Sequence, residues 1–549
     1  GGQLYETRGN SKSYTARAQL NFARIIGPKH HISALAGTER RAIVQSSTSV
    51  FKMGYSDNNL QFLPVDEVAL GSLKGTESLG SDFSWNYGSN NYFVYDENRY
   101  VSFYGNAGYT YNGKYNLTGS VRIDDSNLFG TDPRYRHLPV WSVGASWRLS
   151  EEDFMKGITW LNSLSVRSTY GLGGNVARTV GPYLQAKSSF FSEAKATATD
   201  IIYPPNESLR WEKTATTNIG VDFAVLNNRI SGSVDYYIRN TSDLLGEKAT
   251  DPTNAFSSSL INYGSLNNKG VELALNTQNI KQDHFTWSST LALSFNKNRM
   301  TTINTKDENI YGLAGGYGVN RVGYPMDAVF SFRSAGLDPE NGSILLYDAG
   351  GKVVKNYDQT GTIVANMTYI NGLVYSGTLR PKYTAGFTNY FTYRQLTLSI
   401  MIIANGGNVM RDVVPQVSYG YLTSNTDSRV MNFWRKPGDE KIPGMLPAPD
   451  LEGKGGTYYT TVWYALDQNV LKADYIKVRD ISLSYNFTPE LLHIKKLSSA
   501  RLTLQVQNPF HWYNNAAGID PEAYDIASTY ANRTLPVTPT YMAGIDITF

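Results

Sequence analysis

The segment from Val101 to Ile123 constrains this chain most, because two alternating arms meet at a tight Asn112-Gly113 turn. Val101, Phe103, Gly105, Ala107, Tyr109 and Tyr111 alternate with more polar residues before the turn; Tyr115, Leu117, Gly119, Val121 and Ile123 do so after it. Asn-Gly between period-2 runs is the strongest short-range hairpin signal. Each arm is about 9–11 residues long, which is what a tilted membrane-spanning strand needs. Asn116, Thr118, Ser120 and Arg122 form the second arm's opposite face, and the pattern predicts that they line a wet lumen while the apolar face meets lipid.

The unit recurs. Lys213 to Leu226 and Ile230 to Ile238 flank Asn227-Asn228; Val271 to Leu275 and Phe285 to Phe295 flank a turn near Lys281. Ala385 to Phe391 and Leu396 to Ile402 flank Tyr393-Arg394, Tyr475 to Phe487 and Leu502 to Val506 flank the region of Pro489, and Tyr14 to Ala23 and Ile32 to Ala36 flank Gly27-Pro28. Between hairpins lie long stretches without periodicity: 43–98, 124–138, 172–212, 241–266, 299–380, 406–472 and 510–536. Tight turns on one side and long loops on the other characterise outer-membrane barrels. No run of about 18 apolar residues exists to make a membrane helix, so a membrane role requires the closed barrel, the other way to pair every backbone group in lipid. Region 325–348 reads as one extra hairpin outside the membrane, formed by Ala328 to Phe332 and Ser343 to Tyr347.

The expected fold is therefore all-β, a transmembrane antiparallel β-barrel with about fifteen spanning strands over residues 1–549. With short turns periplasmic, the first strand and the last, Pro536 to Phe549, both run inward. An odd count starting outside does not close a bacterial barrel, which has an even number of strands, so further N-terminal strands are expected from sequence outside this chain. The opening Gly-Gly-Gln-Leu, without Met or leader, agrees with that expectation. The last strand places Tyr541, Ala543, Ile545, Ile547 and Phe549 on one face and ends on an aromatic, which resembles the C-terminal signal read by the barrel-assembly machinery.

Composition supports this reading. Tyr (39) and Gly (49) are abundant, charged residues are 18% and aromatics 13%, as many short strands and polar turns require. A net charge of +3 with evenly spread Lys and Arg offers no stripe for nucleic acid. The absence of cysteine removes disulfides, thiolate metal sites and cysteine nucleophiles.

Several blocks go beyond architecture. Tyr115-Asn-Leu-Thr-Gly-Ser-Val-Arg-Ile-Asp-Asp-Ser-Asn-Leu-Phe-Gly, the segment from Trp141 to Lys156, and Leu164-Ser-Val-Arg-Ser-Thr-Tyr-Gly-Leu-Gly-Gly-Asn resemble the SusC-like family of TonB-dependent transporters of Bacteroidetes outer membranes. Asn267-Asn-Lys-Gly-Val-Glu-Leu, Arg380 to Asn389, Phe433-Trp-Arg-Lys-Pro-Gly-Asp, Gln507-Asn-Pro-Phe and Gly518-Ile-Asp-Pro-Glu extend the resemblance over essentially the whole chain. Asp125 and Pro509 depart from it, where the family often has Gly and usually has Leu. The resemblance implies a barrel of about 22 strands, of which this chain is the C-terminal part, with the plug and TonB-contacting segment absent from it. It also implies energy-coupled import of oligosaccharides or peptides beneath a SusD-like surface lipoprotein lid. TonB would act through the missing N-terminal part, and the barrel would contact lipid and lipopolysaccharide.

Catalytic and metal chemistry find no support in the motifs. Asp125 to Gly130 begins like a calcium loop but has Phe129 at position 5 and Arg136 at position 12. Gly171-Leu-Gly-Gly-Asn opens a polar loop, not the helix of a phosphate cradle. The six histidines (30, 31, 137, 284, 493, 511) lack metal spacing, no Gly-x-Ser-x-Gly elbow is present, and Glu151-Glu152 lies in a predicted periplasmic turn. No enzyme activity and no cofactor are expected. Trp141 and Trp147, at opposite ends of one strand, are expected in the two interface girdles. The candidate ligand-binding residues are Trp434, Arg435, Tyr458, Tyr459 and Trp463, in a long external loop; a loop packing its own small core, or docking the lid, calls for the same residue types. The rival readings are a passive porin or adhesion barrel without energy coupling, and a soluble carbohydrate-active or solenoid β protein, which would have no lipid-facing band.

Overall fold

The computed structural model describes residues 2–62, 64, 92–128, 139–175, 183–191, 196–249, 258–303, 314, 319–355, 372–412, 428–448, 462–488, 498–524 and 534–548. Its first strands are β1 (Gly2–Ile26), β2 (His30–Tyr55), β3 (Tyr92–Tyr111), β4 (Tyr115–Ser126), β5 (Pro139–Arg148) and β6 (Leu161–Asn175). A separate hairpin, β7 (Gln185–Phe191) and β8 (Ala196–Tyr203), precedes β9 (Glu212–Val225), β10 (Ile230–Ala249), β11 (Ser258–Lys281) and β12 (Phe285–Ile303). Short strands follow: β13 (Ala328–Phe332), β14 (Ser334–Leu337), β15 (Ile344–Tyr347), β16 (Val353–Lys355) and β17 (Leu373–Thr378). The remainder are β18 (Tyr383–Tyr393), β19 (Leu396–Gly406), β20 (Val409–Arg411), β21 (Val470–Lys472), β22 (Tyr475–Phe487), β23 (Ser499–Tyr513) and β24 (Thr540–Thr548). Fifteen strands share one sheet, in the order β1-β2-β3-β4-β5-β6-β9-β10-β11-β12-β18-β19-β22-β23-β24. Among the described residues the main sheet thus has the fifteen strands expected.

By compactness the chain divides into two units, one of residues 1–146, 169–216 and 241–264, the other of 147–168, 217–240 and 265–549. In the first, Tyr111 faces Tyr115 across the predicted turn, Asn112 and Gly113 both have positive φ (53° and 68°), and the Lys114 amide donates to the Tyr111 carbonyl at 3.0 Å. Two successive left-handed residues are what a primed turn demands, and Asn-Gly adopts them cheaply. Leu20 (81% exposed), Phe22, Leu117 and Val121 stand on the apolar faces of β1 and β4. In the second unit β18, β19, β22, β23 and β24 pair antiparallel in unbroken sequence, with Leu483, Leu504, Tyr541, Ile545 and Ile547 exposed on the same side. Exposed apolar rows on strand after strand are untenable in water and are what a barrel wall presents to hydrocarbon.

Two expectations need correction. The stretches 43–98, 172–212 and 241–266 read as long loops without periodicity, yet β2 continues to Tyr55, β3 begins at Tyr92, β7 and β8 lie within 185–203, β10 continues to Ala249 and β11 begins at Ser258. Runs such as Ser46-Ser-Thr-Ser49 and Asp96-Glu-Asn-Arg99 are polar at every position, so the ladder persists without an apolar face to betray it. The predicted single hairpin within 325–348 is likewise two different pairings. β13 pairs with β17, while β14 pairs with β15 and β15 with β16. β13 is buried throughout, and a long connection brings it the partner that its hydrophobic run needs.

The facing assignment predicts an asymmetry. Leu117→Arg should lower unfolding free energy in lipid vesicles by about 2–4 kcal/mol if the site lies near the bilayer midplane, as charges on the lipid face do. Thr118→Arg, on the wet face, should cost less than half as much in the same urea titration; equal costs would reject the assignment.

Candidate functional site: polar wall and packed outer loops

In each unit the face opposite the lipid-facing rows carries many polar side chains. In the first unit Asn116 accepts from the Thr110 hydroxyl (2.7 Å) and donates to Ser146 (3.0 Å), Ser120 meets Ser142 (2.7 Å), and Arg122 bonds Asp124 (2.7 Å) and Ser102 (2.9 Å). These cross-strand rungs hold the predicted lumen residues in place. In the second unit Arg167 of β6 donates to Asp222 of β9 (3.0 Å) and Asp235 of β10 (2.7 Å). Gly220 makes this possible, because a Cβ there would lie 2.7 Å from both the guanidinium carbon and an Asp235 oxygen. Asp235 borders a recess of about 430 Å³ that Glu272, Ser294, Gly386 and Asn405 also line.

Near the start of β22 the wall carries a buried ionic knot. Lys477 donates to Asp520 (2.8 and 2.9 Å) and to Glu522 (2.7 Å), with Lys477 and Asp520 side chains only 4% and 2% exposed. Arg479 and Tyr475 donate to the other Glu522 oxygen at 2.6 and 2.7 Å. Asp520 caps the short turn Pro521–Ala523 by accepting from the Glu522 amide. Two cations thus meet two carboxylates, so the knot is neutral, and each acid accepts enough hydrogen bonds to offset its lost hydration. Burial alone would raise the Glu522 carboxyl, but hydrogen bonds from Lys477, Tyr475 and Arg479 outweigh it and hold it below the ordinary carboxylate value.

The loops between β12 and β18 and between β19 and β22 fold into a body with its own core. Phe332, Ile344, Leu346, Met410, Val462, Ala465 and Leu466 form its centre, joined by Ile519 and Tyr524. Arg411, 1% exposed, passes through this core. Its guanidinium donates to the carbonyls of Phe330 (2.6 Å), Ala314 (3.3 Å) and Tyr464 (3.4 Å), and its amide donates to the Tyr524 hydroxyl. Arg411 therefore ties together four stretches of chain, three through its guanidinium and one through its amide. Burial lowers the Arg411 pKa, and among the described residues no carboxylate counters it.

The structure separates the predicted binding residues. Trp434 and Trp463, each 9% exposed, belong to the loop core. Trp434 lies over Gly342, where a Cβ would come 2.5 Å from the indole and φ is +67°, and its ring nitrogen donates to Glu440 at 3.4 Å. As placed, both indoles pack the loop interior, the structural role their composition equally allowed. Arg435 is exposed, with its guanidinium 4.7 Å over the Phe433 ring and its amide bonded to Asp439. Tyr458 and Tyr459 lie outside the described residues, as do Phe129 to Arg136 of the calcium-like segment. Trp147 stands 39% exposed with its ring nitrogen on Glu152 (3.0 Å), and Trp141 packs on Tyr170. Arg411 escaped the sequence reading because Met410-Arg411 carries no pattern, whereas Gly518-Ile-Asp-Pro-Glu stood out as a motif whose role only its partners reveal.

Comparison with known proteins places this geometry. The family profile described as TonB dependent receptor-like, beta-barrel matches residues 2–508. TonB-dependent receptor P26 of Formosa agariphila is 27% identical over 98% of this chain and 53% of its own length. TonB-dependent receptor SusC of Bacteroides thetaiotaomicron is 27% identical over 82% and 44%. The chain spans about half the length of these relatives. Among solved structures the RagAB peptide importer superposes with a TM-score of 0.77 at 22% identity, over 100% of this chain and 56% of that one.

Two outcomes test the site's energetics. Arg411→Met should destabilise the loop body by at least about 2 kcal/mol, since three buried carbonyls lose their donor, and native-state proteolysis should cut these loops first while the barrel persists; an unchanged cleavage rate would contradict the clamp. For Glu522, a lowered folded pKa means a contribution present above the unfolded value of about 4.3 and lost as pH falls through the folded one. Thermal unfolding should therefore show an acid-side loss of stability that Glu522→Gln reduces; an identical profile in the variant would contradict the assignment.

Proposed function

Since this chain belongs to the TonB-dependent receptor-like β-barrel family, an outer-membrane family of transporters and not of enzymes, we propose that it forms wall and outer loops of an active importer. Residues 1–549 correspond in this reading to the C-terminal part of the barrel. TonB is engaged through a part of the family's proteins that this chain does not span. The observation that carries the proposal is the two-sided wall: unbroken apolar rows on one face, and on the other a polar surface whose charges are largely paired. Such a wall lets a hydrophilic solute pass without holding it by net charge.

The outer loops supply the rest. Arg411 and the indoles of Trp434 and Trp463 make the loop body a rigid platform, and a rigid surface captures a ligand or a partner at lower entropic cost than mobile loops would. Arg435 on its Phe433 ring, together with Tyr458 and Tyr459, is the proposed point of ligand contact, with Trp434 and Trp463 supporting from beneath. The partner at the mouth is a SusD-like lipoprotein lid, the outer face contacts lipid and lipopolysaccharide, and the cargo is an oligosaccharide or a peptide. The RagAB peptide importer, to which the chain is similar, supports the peptide part of that range.

Uptake of labelled oligosaccharide and peptide pools by cells carrying the full-length transporter tests the proposal. Accumulation should fall at least tenfold when a protonophore collapses the proton gradient or TonB is deleted. Uptake indifferent to both would make the protein a passive pore and sink the reading.

A further inference from the structure

The lipid-facing side of β1 to β4 carries cations as well as apolar rows, and the register fixes where they stand. The lowest row is Ile26, His30, Tyr111 and Tyr115, next to the short turns; Leu20, Ala36, Gly105 and Val121 stand midway, and Ala16, Arg40, Val101 and Asp125 two rows above those. Arg40 follows His30 by ten residues along β2, about 34 Å at about 3.4 Å per residue, or about 26 Å of height at a strand tilt of about 40°. The apolar band of an outer-membrane barrel is about 25 Å tall and is flanked by aromatic residues at both edges. Tyr111 and Tyr115 mark the lower edge, and Tyr14, one row above Arg40, marks the upper. Arg40 therefore stands where hydrocarbon gives way to headgroups.

Countercharge is scarce at that level. Arg99, in the same row as Tyr14, is held by Glu97 (2.8 Å), and higher up Arg8 is held by Glu6 (2.7 Å). Asp125 lies two strands away from Arg40, and one of its oxygens accepts from the Ser126 amide (3.0 Å). Arg40, and Lys12 two rows above it, are exposed and make no ion pair among the described residues. Arg24 also faces this side, but one row above the lowest, at the opposite edge of the band. Below Arg40 the apolar surface is dished. Ala34 and Ala36 lie beside Ala107 and Gly105, while exposed Leu20 and Phe22 rise on β1 and exposed Phe103 on β3. The floor of the dish leads along β2 past Thr38 to Arg40, so apolar surface and free positive charge are continuous.

We infer that this face of β1 to β3 is a binding site for one lipopolysaccharide molecule, with phosphate groups on Arg40 and Lys12, the Tyr14 hydroxyl beside them, and an acyl chain in the dish below. It rests on the outer-membrane reading above, in which the short turns are periplasmic and the Arg40 level is the outer leaflet's. A guanidinium at the edge of hydrocarbon gains most from an anion that it can grip with two N–H groups, as it can a phosphate. The register puts the α-carbons of Arg40 and Lys12 about 14 Å apart along a diagonal, a span that suits a headgroup with two phosphates better than a phospholipid with one.

The test titrates the full-length transporter, delipidated in detergent, with bisphosphorylated lipid A, its dephosphorylated form or phosphatidylglycerol, and counts bound lipid by native mass spectrometry. Bisphosphorylated lipid A should half-saturate the protein at a concentration at least fivefold below either other lipid. Arg40→Gln with Lys12→Gln should abolish that preference, Arg40→Lys should keep most of it, and Ala36→Phe, which fills the dish and leaves the charges, should weaken all three lipids. Heat-modifiable gel migration reports that each variant is folded. An unchanged preference in the double glutamine variant overturns the cation site, and unchanged binding in Ala36→Phe overturns the acyl groove. Phosphatidylglycerol bound as tightly as lipid A overturns the assignment to lipopolysaccharide. Cargo uptake with and without protonophore separates this site from the importer reading: protonophore-insensitive uptake with the lipid preference intact defeats active import alone, and protonophore-sensitive uptake without any lipid preference defeats only the lipid site.

Discussion

A strand in hydrocarbon has no water to bond, so each of its backbone N–H and C=O groups must find a partner on a neighbouring strand. Everything else in this protein follows from that requirement. It demands a sheet of many antiparallel strands, and it frees the side chains to alternate between lipid and lumen without disturbing the pairing that holds the wall together. The fifteen-stranded order and the unbroken β18–β19–β22–β23–β24 pairing express it directly.

With the backbone satisfied by the sheet, polar side chains on the inner face are available for other work. They pair among themselves: Ser120 with Ser142, Arg167 with Asp222 and Asp235, Lys477 with Asp520 and Glu522. A lumen with many unpaired charges would bind a charged solute tightly and release it slowly; one whose charges are mutually satisfied presents mainly hydroxyl and amide groups. The ionic knot does more than neutralise, because Asp520 and Glu522 belong to the segment after β23 and so pin that segment to the wall. In the loop body away from the sheet the constraint changes. There a conventional apolar core, threaded by Arg411, must hold segments far apart in sequence.

Legibility in the sequence tracked the solvent. Where a strand crosses lipid, alternation at Leu117–Ile123 or Tyr541–Ile547 announced it, and Asn112-Gly113 announced its turn. Where the same strands are polar at every position, as at Ser46–Ser49, they carry no such signal although their pairing is equally regular. The candidate site was legible only as composition. Trp434, Arg435 and Trp463 were recognised as residues with a task, but an indole that packs a loop core and one that receives a ligand have the same letters around them.

The sequence by itself determined the all-β class, the number of spanning strands, their facing and the position of most short turns, because period-2 patterning and turn chemistry are local consequences of lipid on one side and water on the other. Only the tertiary structure decided that β13 pairs with β17, that Arg411 gathers four distant segments, that Lys477 meets Asp520 and Glu522, and that Arg479 forms a bulge held by Glu522. Each of these joins residues tens to more than a hundred positions apart, and such contacts are selected by burial and charge compensation in three dimensions, which no local pattern encodes.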